Sequence, residues 1–446
     1  MEGALTVGDI KKILADAPDV KALLDQLEQH QSQLITGLSG SARTLVLSTL
    51  VAEKKKPFII VTHNLFHANQ LMEDFADWVP EDRLHLFPVD EMIYAEMSVA
   101  SPEARAERVA TLDFLLSEKF GIVIVPLAGV RKLLPPKEIW QAAQFTIKQG
   151  GELDLIHLPQ RLVDMGYTRQ QLVSSPGEFS IRGGIVDIYS LTEEFPIRID
   201  LFDTEIDSLR YFDAATQRSI QTIEKATILP ATDTVYTKEQ LTAAAPIFSK
   251  AVERNLGLIQ DASEKQTFIK QMTPISDAFQ KGEPIDELTM FTDFIYPEKN
   301  SVLDYMSKKG MVVMDEYPRI MDTDRRLSEE EAEWVTSKLS ERRILQNQVF
   351  SNNFRDQLKA LNTSILYFAV FQKGMGNTRF NHIHAFQYRN MQQFFGQMPL
   401  LKTEMDRWIK QKNTIIIMVP NADRAKKVHQ TFKDFEITSK IVKPAR

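Results

Sequence analysis

The stretch QLITGLSGSART, residues 33–44, decides the fold that this sequence predicts. Its first residues are strand-like, and the apolar run that follows it, LVLSTLVAE, has the character of a helix. A glycine-containing loop between a strand and a helix is the position of a phosphate-binding P-loop, which has the pattern G-x-x-x-x-G-K-[ST]. Gly37 and Thr44 occupy the first and last positions of that pattern. The stretch therefore predicts an α/β domain of the nucleotide-binding type.

Two other positions of the loop depart from the P-loop pattern. Ala42 replaces the second glycine and brings a Cβ to a place where the backbone has to approach phosphate. Arg43 replaces the lysine, whose compact charge is not reproduced by a longer, planar guanidinium group. We therefore expect a degenerate P-loop that does not function as a nucleotide site.

A second partial motif supports this interpretation. Asp315 and Glu316 follow the apolar run MVV and resemble the strand-borne acidic pair that holds Mg²⁺ in P-loop ATPases. Two partial motifs on one sheet indicate descent from a nucleotide-binding domain. The alternative is an active ATPase or helicase domain that binds ATP at residues 37–44 and at Asp315 and Glu316.

The composition limits the function further. The 446 residues carry a formal net charge of −7, which argues against a dedicated nucleic-acid-binding protein. The absence of cysteine excludes disulfides and thiolate metal sites. His63 and His67 have the spacing of a zinc motif, but no third ligand is evident, so no metal site is expected. The charged N-terminus does not resemble a signal peptide, and no apolar run reaches the ~20 residues of a membrane span, so we expect a cytoplasmic protein.

The order of the predicted elements indicates how the chain is divided. Strand-like and helical segments alternate up to Pro126, which is typical of βαβ units and a parallel sheet. From residue 177 to residue 213, strand-like segments follow one another without long helices, which indicates a small antiparallel domain. Helices return after Thr237, and the apolar run in residues 310–317 suits the first sheet. The antiparallel domain is therefore predicted to be inserted into the parallel one.

These patterns predict four segments. Residues 1–126 and 214–349 form the two parts of a degenerate P-loop domain, the second part including a long linking helix. Residues 127–213 form the inserted antiparallel α+β domain, and residues 350–446 form a further small α/β domain. The sequence does not indicate the role of this last domain or the oligomeric state.

Residues 166–220 carry the most specific signal, GYTRQQLVSSPGEFSIRGGIVDIYSLTEEFPIRIDLFDTEIDSLRYFDAATQRSI. This stretch resembles the module shared by UvrB, the helicase-like subunit of excision repair, and the bacterial transcription-repair coupling factors. The runs LFPVDEMIY and SPEARAERVATL, together with GLSGSART, also resemble the N-terminal region of the coupling factors. The resemblance covers essentially the whole chain, although the last hundred residues match less distinctively.

The resemblance implies that the inserted domain docks UvrA, the damage-sensing ATPase of nucleotide excision repair. The residues that match the docking segments are Arg169, Arg182, Arg198 and Asp200, whereas Ser180 stands where UvrB-like chains often have a further arginine. Alternation along two strands places the charged residues together on one open face of a sheet. The alternative is that Arg198 and Asp200 only form cross-strand ion pairs, each worth about 0–1 kcal/mol.

The segment after the strand-like run LHLFPV departs from UvrB. UvrB clamps DNA there with a long, aromatic-rich β-hairpin, whereas this chain has only VDEMIYAEMSVA, residues 89–100. Direct binding of damaged DNA by this chain is therefore not expected.

The resemblance also implies the activity of a complete coupling factor. The full-length family member is an ATP-dependent translocase on double-stranded DNA, uses ATP and Mg²⁺, and displaces RNA polymerase stalled at lesions. Neither the motor nor the polymerase-binding module is recognisable in this sequence. We therefore expect this portion to be a docking module and not an enzyme, with no cofactor of its own. Whether the docking surface is masked in the full-length protein stays open.

Overall fold

The computed structural model describes residues 7–27, 31–91, 101–117, 119–283, 285–370, 374–376, 378–387, 394, 396–417, 419 and 421–441. Most of the segment expected to replace the DNA-clamping hairpin, residues 92–100, lies outside the described residues. The strands are β1 (Ser32–Thr36), β2 (Pro57–Thr62), β3 (Leu84–Leu86), β4 (Gly121–Pro126), β5 (Phe145–Lys148), β6 (Thr168–Arg169), β7 (Glu178–Arg182), β8 (Ile185–Ile188), β9 (Ile197–Phe202), β10 (Glu205–Phe212), β11 (Ser219–Thr222), β12 (Lys225–Ile228), β13 (Met311–Asp315), β14 (Ser364–Ala369) and β15 (His382–Ala385).

The helices lie between and after these strands. They are α1 (Val7–Ala15), α2 (Pro18–Asp25), α3 (Gly40–Lys54), α4 (Leu65–Ala76), α5 (Pro102–Leu116), α6 (Leu127–Arg131), α7 (Lys137–Ala143), α8 (Leu158–Asp164), α9 (Lys238–Leu258), α10 (Ala262–Lys281), α11 (Thr292–Ile295), α12 (Val302–Tyr305), α13 (Tyr317–Ser340), α14 (Phe354–Ala360), α15 (Met398–Lys410) and α16 (Ala422–Asp434). Two short 3₁₀ helices, Glu81–Arg83 and Asp286–Phe291, complete the set. No helix among the described residues combines the length and the apolar character that crossing a membrane requires.

The first domain is built on a seven-stranded parallel sheet with the strand order β15-β1-β14-β13-β2-β4-β3. Its inner strands β2, β4, β13 and β14 are buried at every position because helices cover both faces of the sheet. In β2, Ile59 and Val61 belong to one hydrophobic cluster, whereas Phe58 and Ile60 belong to the cluster on the other face. This division follows from the period of two along a strand. The expected parallel sheet is therefore confirmed.

The inserted module has a six-stranded sheet with the order β11-β10-β9-β8-β7-β6, in which all neighbours are antiparallel except β6 and β7. One face of this sheet packs into the core of the module together with Leu158 and Leu162 of α8. Strands β5 and β12 form a separate antiparallel pair where the chain enters and leaves the module. The antiparallel sheet expected from the sequence is present.

The extent of the module differs from the predicted 127–213. Strand β11 continues the six-stranded sheet beyond residue 213, and β12 pairs with β5. At the other end, Leu127, Ala128 and Val130 of α6 are buried in a core of the parallel domain. The module therefore begins at β5 and ends at β12, because these two strands pair with each other where the chain enters and leaves it.

The predicted separate domain of residues 350–446 is wrong for residues 364–385. Strand β14 lies between β1 and β13 in the middle of the parallel sheet, and β15 pairs with β1. A continuous apolar run indicates a buried strand, but its period does not indicate which sheet the strand joins. Farther along, the apolar run NTIIIMVP, residues 413–420, forms no strand in its described residues. There, α15 and α16 pack around Met405 and Phe432.

A helical part follows the module and packs around its own aromatic core. Thr237 caps α9 by a capping box with Gln240, which explains why the helix begins at residue 238. The ring of Phe248 on α9 lies 4.7 Å from that of Phe279 on α10 and 5.3 Å from that of Phe291. Helices α9 and α10 therefore form a hairpin that is held by aromatic packing.

A buried ion pair fastens the exit of the inserted module to the parallel domain. Arg108 of α5 donates from Nε to Oδ2 of Asp233 at 2.8 Å, and Nζ of Lys132 lies 3.5 Å from the same oxygen. Burial alone would raise the pKa of Asp233, but the charges of Arg108 and Lys132 outweigh burial and hold that pKa well below its usual range. The carboxylate is therefore charged and ties the two parts together.

Asp293 is a half-buried carboxyl group where the helical part meets the chain that leads to β14. Its Oδ2 accepts a hydrogen bond from the backbone N–H of Val349 at 3.0 Å, whereas its Oδ1 is buried without a hydrogen-bond partner among the described residues. Burial raises the pKa of Asp293 to about 6. Because the folded-state pKa is raised, stability falls as the pH rises towards and through that value.

We expect the Asp293→Asn variant to gain stability relative to the parent when the pH is raised from 5 to 8. Asparagine still accepts the bond from Val349 but carries no charge, so the variant lacks the cost of ionising this buried group. The gain on going from pH 5 to pH 8 should be about 1.4 kcal/mol, because pH 5 lies about one unit below the folded-state pKa, and thermal unfolding midpoints of both proteins at both pH values measure it. An equal difference between the two proteins at pH 5 and pH 8 would contradict the raised pKa.

Candidate functional site

The open face of the six-stranded sheet carries a row of polar residues. Strand register places Ser180 opposite Asp187, Asp187 opposite Arg198, and Arg198 opposite Arg210. Directly opposed residues point to the same face of a sheet. The residues that alternate with them face the core of the module, for example Phe179, Val186, Ile199 and Leu209. The polar row therefore crosses four neighbouring strands on the face of the sheet that is turned away from the core.

Asp187 lies at the centre of this row. Its side chain is only 1% exposed and accepts hydrogen bonds from Nη2 of Arg182 at 2.7 Å and from Nε and Nη2 of Arg198 at 2.7 and 2.8 Å. One buried carboxylate thus orients two of the predicted docking arginines. The sequence analysis missed Asp187, although an acidic residue between the apolar Val186 and Ile188 of a strand was a signal that could have found it.

Arg198 is the more enclosed of the two arginines. Its Nη2 also donates to Oε1 of Gln217 at 2.6 Å, and its guanidinium carbon lies 4.1 Å from the centroid of the Phe212 ring. The hydrogen bonds to Asp187 raise the pKa of Arg198 above its ordinary value. Arg198 is 13% exposed in its side chain, whereas Arg182 is 39% exposed. Arg182 is therefore the more accessible to a partner.

Asp200 belongs to a second ion pair on the same face. It accepts hydrogen bonds from Ser208 Oγ at 2.7 Å and from both terminal nitrogens of Arg210. Burial opposes ionisation of Asp200, but the hydrogen bonds from Arg210 and Ser208 prevail and lower its pKa. The cross-strand ion pairs that the sequence offered as the alternative role of these residues are thus present: Arg198 pairs with Asp187, and Asp200 pairs with Arg210.

The remaining predicted positions differ in exposure. Arg169 on the edge strand β6 is exposed, and its side chain has no hydrogen bond or ion pair with any described residue. It lies opposite Phe179, so it points to the other face of the sheet from Arg182. Ser180 is buried at 1% exposure and donates from Oγ to the backbone oxygen of Gln171 at 2.9 Å. Position 180 therefore lies inside the module, so a partner cannot reach it.

The nucleotide-like site lies at the carboxyl ends of β1 and β13. Helix α3 begins at Gly40, so Ala42, Arg43 and Thr44 all lie in its first turns. Thr44 is buried, and its Oγ1 lies 3.5 Å from the backbone oxygen of Gly40. Parallel strands end at the same edge of a sheet, which brings this loop next to Asp315.

Arg43 is buried against the acidic pair. Its Nη1 donates to Oδ1 of Asp315 at 2.7 Å and lies 3.7 Å from Oε1 of Glu316. The second oxygen of Asp315, Oδ2, is 2.7 Å from Nε2 of His67. Burial, together with the neighbouring Asp315 charge, raises the pKa of Glu316. Both oxygens of the carboxylate that resembles a Mg²⁺ ligand are therefore engaged by side chains of this chain.

The first glycine of the loop is covered by another segment. Gly37 has φ of +80°, and a Cβ there would lie 2.0 Å from the backbone oxygen of Phe386. The N–H of Phe386 donates to the oxygen of Thr36 at 2.9 Å, which extends the pairing of β15 with β1. The close approach requires glycine at position 37.

His63 and His67 stack beside this site with their ring centroids 5.0 Å apart. Burial, followed by the neighbouring His67, lowers the pKa of His63 to about 4. The described part of the chain has no group of three histidine, aspartate or glutamate side chains placed to hold a metal ion.

Comparison with known proteins identifies the module. A family model described as the UvrB interaction domain matches residues 145–233, which are β5 to β12 with the exit segment. The chain is 34% identical over 430 residues to the transcription-repair-coupling factor of Bacillus subtilis, and 32% identical over 427 residues to that of Staphylococcus haemolyticus. This chain is homologous to part of the transcription-repair-coupling factors. The resemblance stated from the sequence is confirmed.

The homology covers the two chains unequally. The matched segments include 96% and 93% of this chain but only 36% and 35% of the two coupling factors. A coupling factor from Staphylococcus aureus gives the same coverage, 93% and 35%, at 32% identity. The chain therefore spans about a third of the length of the relatives that it matches. All four predicted docking residues lie within the segment that matches the UvrB interaction domain.

We expect the Asp187→Asn variant to loosen the charged face and to destabilise the six-stranded sheet. Loss of the buried charge leaves the enclosed Arg198 without its anionic partner, and breaking such a pair costs about 3 kcal/mol. Hydrogen exchange of the amides in β8 and β9 measures the free energy of opening. The control is Asp200→Asn, whose ion pair is partly exposed and should cost about 1 kcal/mol or less. Equal losses in the two variants would contradict a central role of Asp187.

Proposed function

We propose that this chain is the N-terminal, UvrA-recruiting portion of a transcription-repair coupling factor. One observation carries the proposal: a domain of the UvrB interaction family presents Arg182, Arg198 and Asp200 on the open face of its sheet, with Arg169 exposed on the edge strand β6. Exposed guanidinium groups are suited to bidentate contacts with partner carboxylates. UvrA supplies those carboxylates in this proposal.

The buried carboxylate of Asp187 contributes to docking by fixing the arginines in advance. Arg182 uses Nη2 to bind Asp187, so its other nitrogens remain directed away from this anion. A side chain that is already ordered loses less conformational entropy when a partner binds. Arg198 is held by three hydrogen bonds and stabilises the charged face of the sheet.

In the complete protein, recruitment is one step of transcription-coupled nucleotide excision repair. The proposed whole is a cytoplasmic, ATP-dependent translocase on double-stranded DNA that displaces RNA polymerase stalled at a lesion. ATP, Mg²⁺, DNA and RNA polymerase are bound by parts outside this chain. The portion formed by this chain brings UvrA to the lesion.

The nucleotide-like site of this portion is proposed to be inactive, so that the chain is not itself an enzyme. The support is the ion pair in which Arg43 takes up the Asp315 carboxylate, and the backbone of Phe386 lying against Gly37. A Mg²⁺ ion would have to displace a buried cationic side chain from the anions beside it, Asp315 and Glu316. The sheet keeps the nucleotide-binding topology as a scaffold.

We expect the Arg182→Ala variant to lose affinity for UvrA. Loss of a central interfacial arginine typically costs 2 kcal/mol or more, which corresponds to about thirtyfold weaker binding. Co-purification with UvrA, followed by a titration of the purified proteins, measures the change. The control is Arg325→Ala, an exposed arginine of α13 outside the module. If Arg182→Ala binds as tightly as Arg325→Ala, the docking assignment is wrong.

We expect equilibrium dialysis with ATP and Mg²⁺ to detect no micromolar binding by this chain. Asp315→Ala should leave that result unchanged but lower the thermal unfolding midpoint, because buried Arg43 loses its nearest anion. Micromolar ATP binding that disappears in Asp315→Ala would instead support the alternative of an active ATPase site at residues 37–44.

A further inference from the structure

A groove with a volume of about 680 Å³ lies along the edge of the inserted module between Arg169 and Arg182. Gln170, Gln171, Leu172 and Ile181 complete its lining. Leu172 is 53% exposed, and Ile181 is half-buried against the core of the module. The lining of the groove therefore combines two apolar side chains with two guanidinium groups.

The wall of the groove is held rigidly by its neighbours. The N–H of Gln170 donates to the oxygen of Phe179 at 2.8 Å, which prolongs the pairing of β6 with β7. Ser180 Oγ holds the next carbonyl, that of Gln171, at 2.9 Å. Farther along, the Glu178 carboxylate accepts the N–H groups of Ser174 and Ser175 at 2.8 and 2.9 Å. The loop that carries Leu172 is thus fastened on both sides.

Ser180 has a defined part in this construction. Its side chain is buried and bonds to the groove wall, so it acts as a positioning residue for Leu172. An arginine at position 180 could not make the same contact in the same space. Ser180, where UvrB-like sequences often have an arginine, therefore stabilises the wall of the groove through its hydrogen bond to Gln171.

The guanidinium groups of Arg169 and Arg182, which line the groove, are available to a partner. The side chain of Arg169 makes no hydrogen bond or ion pair with a described residue, and Arg182 has Asp187 as its anion. A groove lined by two guanidinium groups and two apolar side chains is complementary to a partner segment that carries both carboxylates and an apolar side chain. A partner surface that carried only carboxylates would make no apolar contact with the exposed Leu172.

We propose that this groove determines the specificity of docking by binding an apolar side chain of UvrA that is flanked by two carboxylates. The proposal rests on the docking function proposed above. Leu172 and Ile181 contact the apolar side chain, and Arg169 and Arg182 bind the carboxylates. The ionic contacts weaken as salt is added, whereas the apolar contact does not.

The test is a titration of the full chain with purified UvrA at several salt concentrations. The variants are Leu172→Ala, Leu172→Gln and Arg182→Ala, and the control is Leu258→Ala, a similarly exposed leucine at the end of α9 outside the module. Both Leu172 variants should weaken binding about tenfold at every salt concentration, with an unchanged slope against salt. Arg182→Ala should weaken binding and reduce the slope.

The possible results of this titration distinguish the groove proposal from the docking proposal. Leu172 is half exposed, so its variants should keep the parental unfolding midpoint, which a thermal scan checks. If the Leu172 variants bind like Leu258→Ala while Arg182→Ala is weakened, the groove proposal is overturned and docking stands. If Arg169→Ala, Arg182→Ala and the Leu172 variants all bind like the parent, both proposals are overturned.

Discussion

The buried carboxylate of Asp187 is the interaction on which the charged face of the inserted module depends. A carboxylate with 1% exposure is costly unless its oxygens are satisfied, and here they receive three hydrogen bonds from two arginines. The consequence is that Arg182 and Arg198, on different strands, take fixed positions on one side of the sheet. A core of Ile, Val and Leu on the opposite side fixes the strands that carry them.

Ion pairs between arginine and aspartate occur both in the inserted module and at the edge of the parallel sheet, but the exposure of the positive charge differs between the two sites. In the module the anion is buried, whereas Arg182, the more exposed of its two arginines, reaches the solvent, so positive charge is presented outward there. At the edge of the parallel sheet the cation of Arg43 is itself buried, and it meets Asp315 and Glu316 inside the protein. One site therefore offers charge to a partner, whereas the other neutralises it internally. This contrast is the physical basis for assigning recruitment to the module and a scaffold role to the parallel sheet.

The scaffold also holds the module in place. The ion pair of Arg108 with Asp233 fastens its exit to α5, and Trp140 Nε1 donates to the oxygen of Thr232 at 3.2 Å beside it. Leu191, in the loop after β8, packs against both the core of the module and that of the parallel domain. The parallel domain thus gives a fixed support to the face that we propose as the docking surface for UvrA.

The sequence by itself determined the local elements and the family. Continuous apolar runs predicted the buried strands, the alternation in RIDLF separated polar from apolar faces, and the 166–220 motif identified the UvrB-like module. What only the tertiary structure decided is which distant segments meet. The strand at residues 364–369 joins the first sheet, Asp187 bridges two arginines, and Arg43 closes on an aspartate 272 positions away. Periodicity reports which face of an element is buried, but it carries no information on the partner that buries it, because that choice is made by packing between segments far apart in the chain.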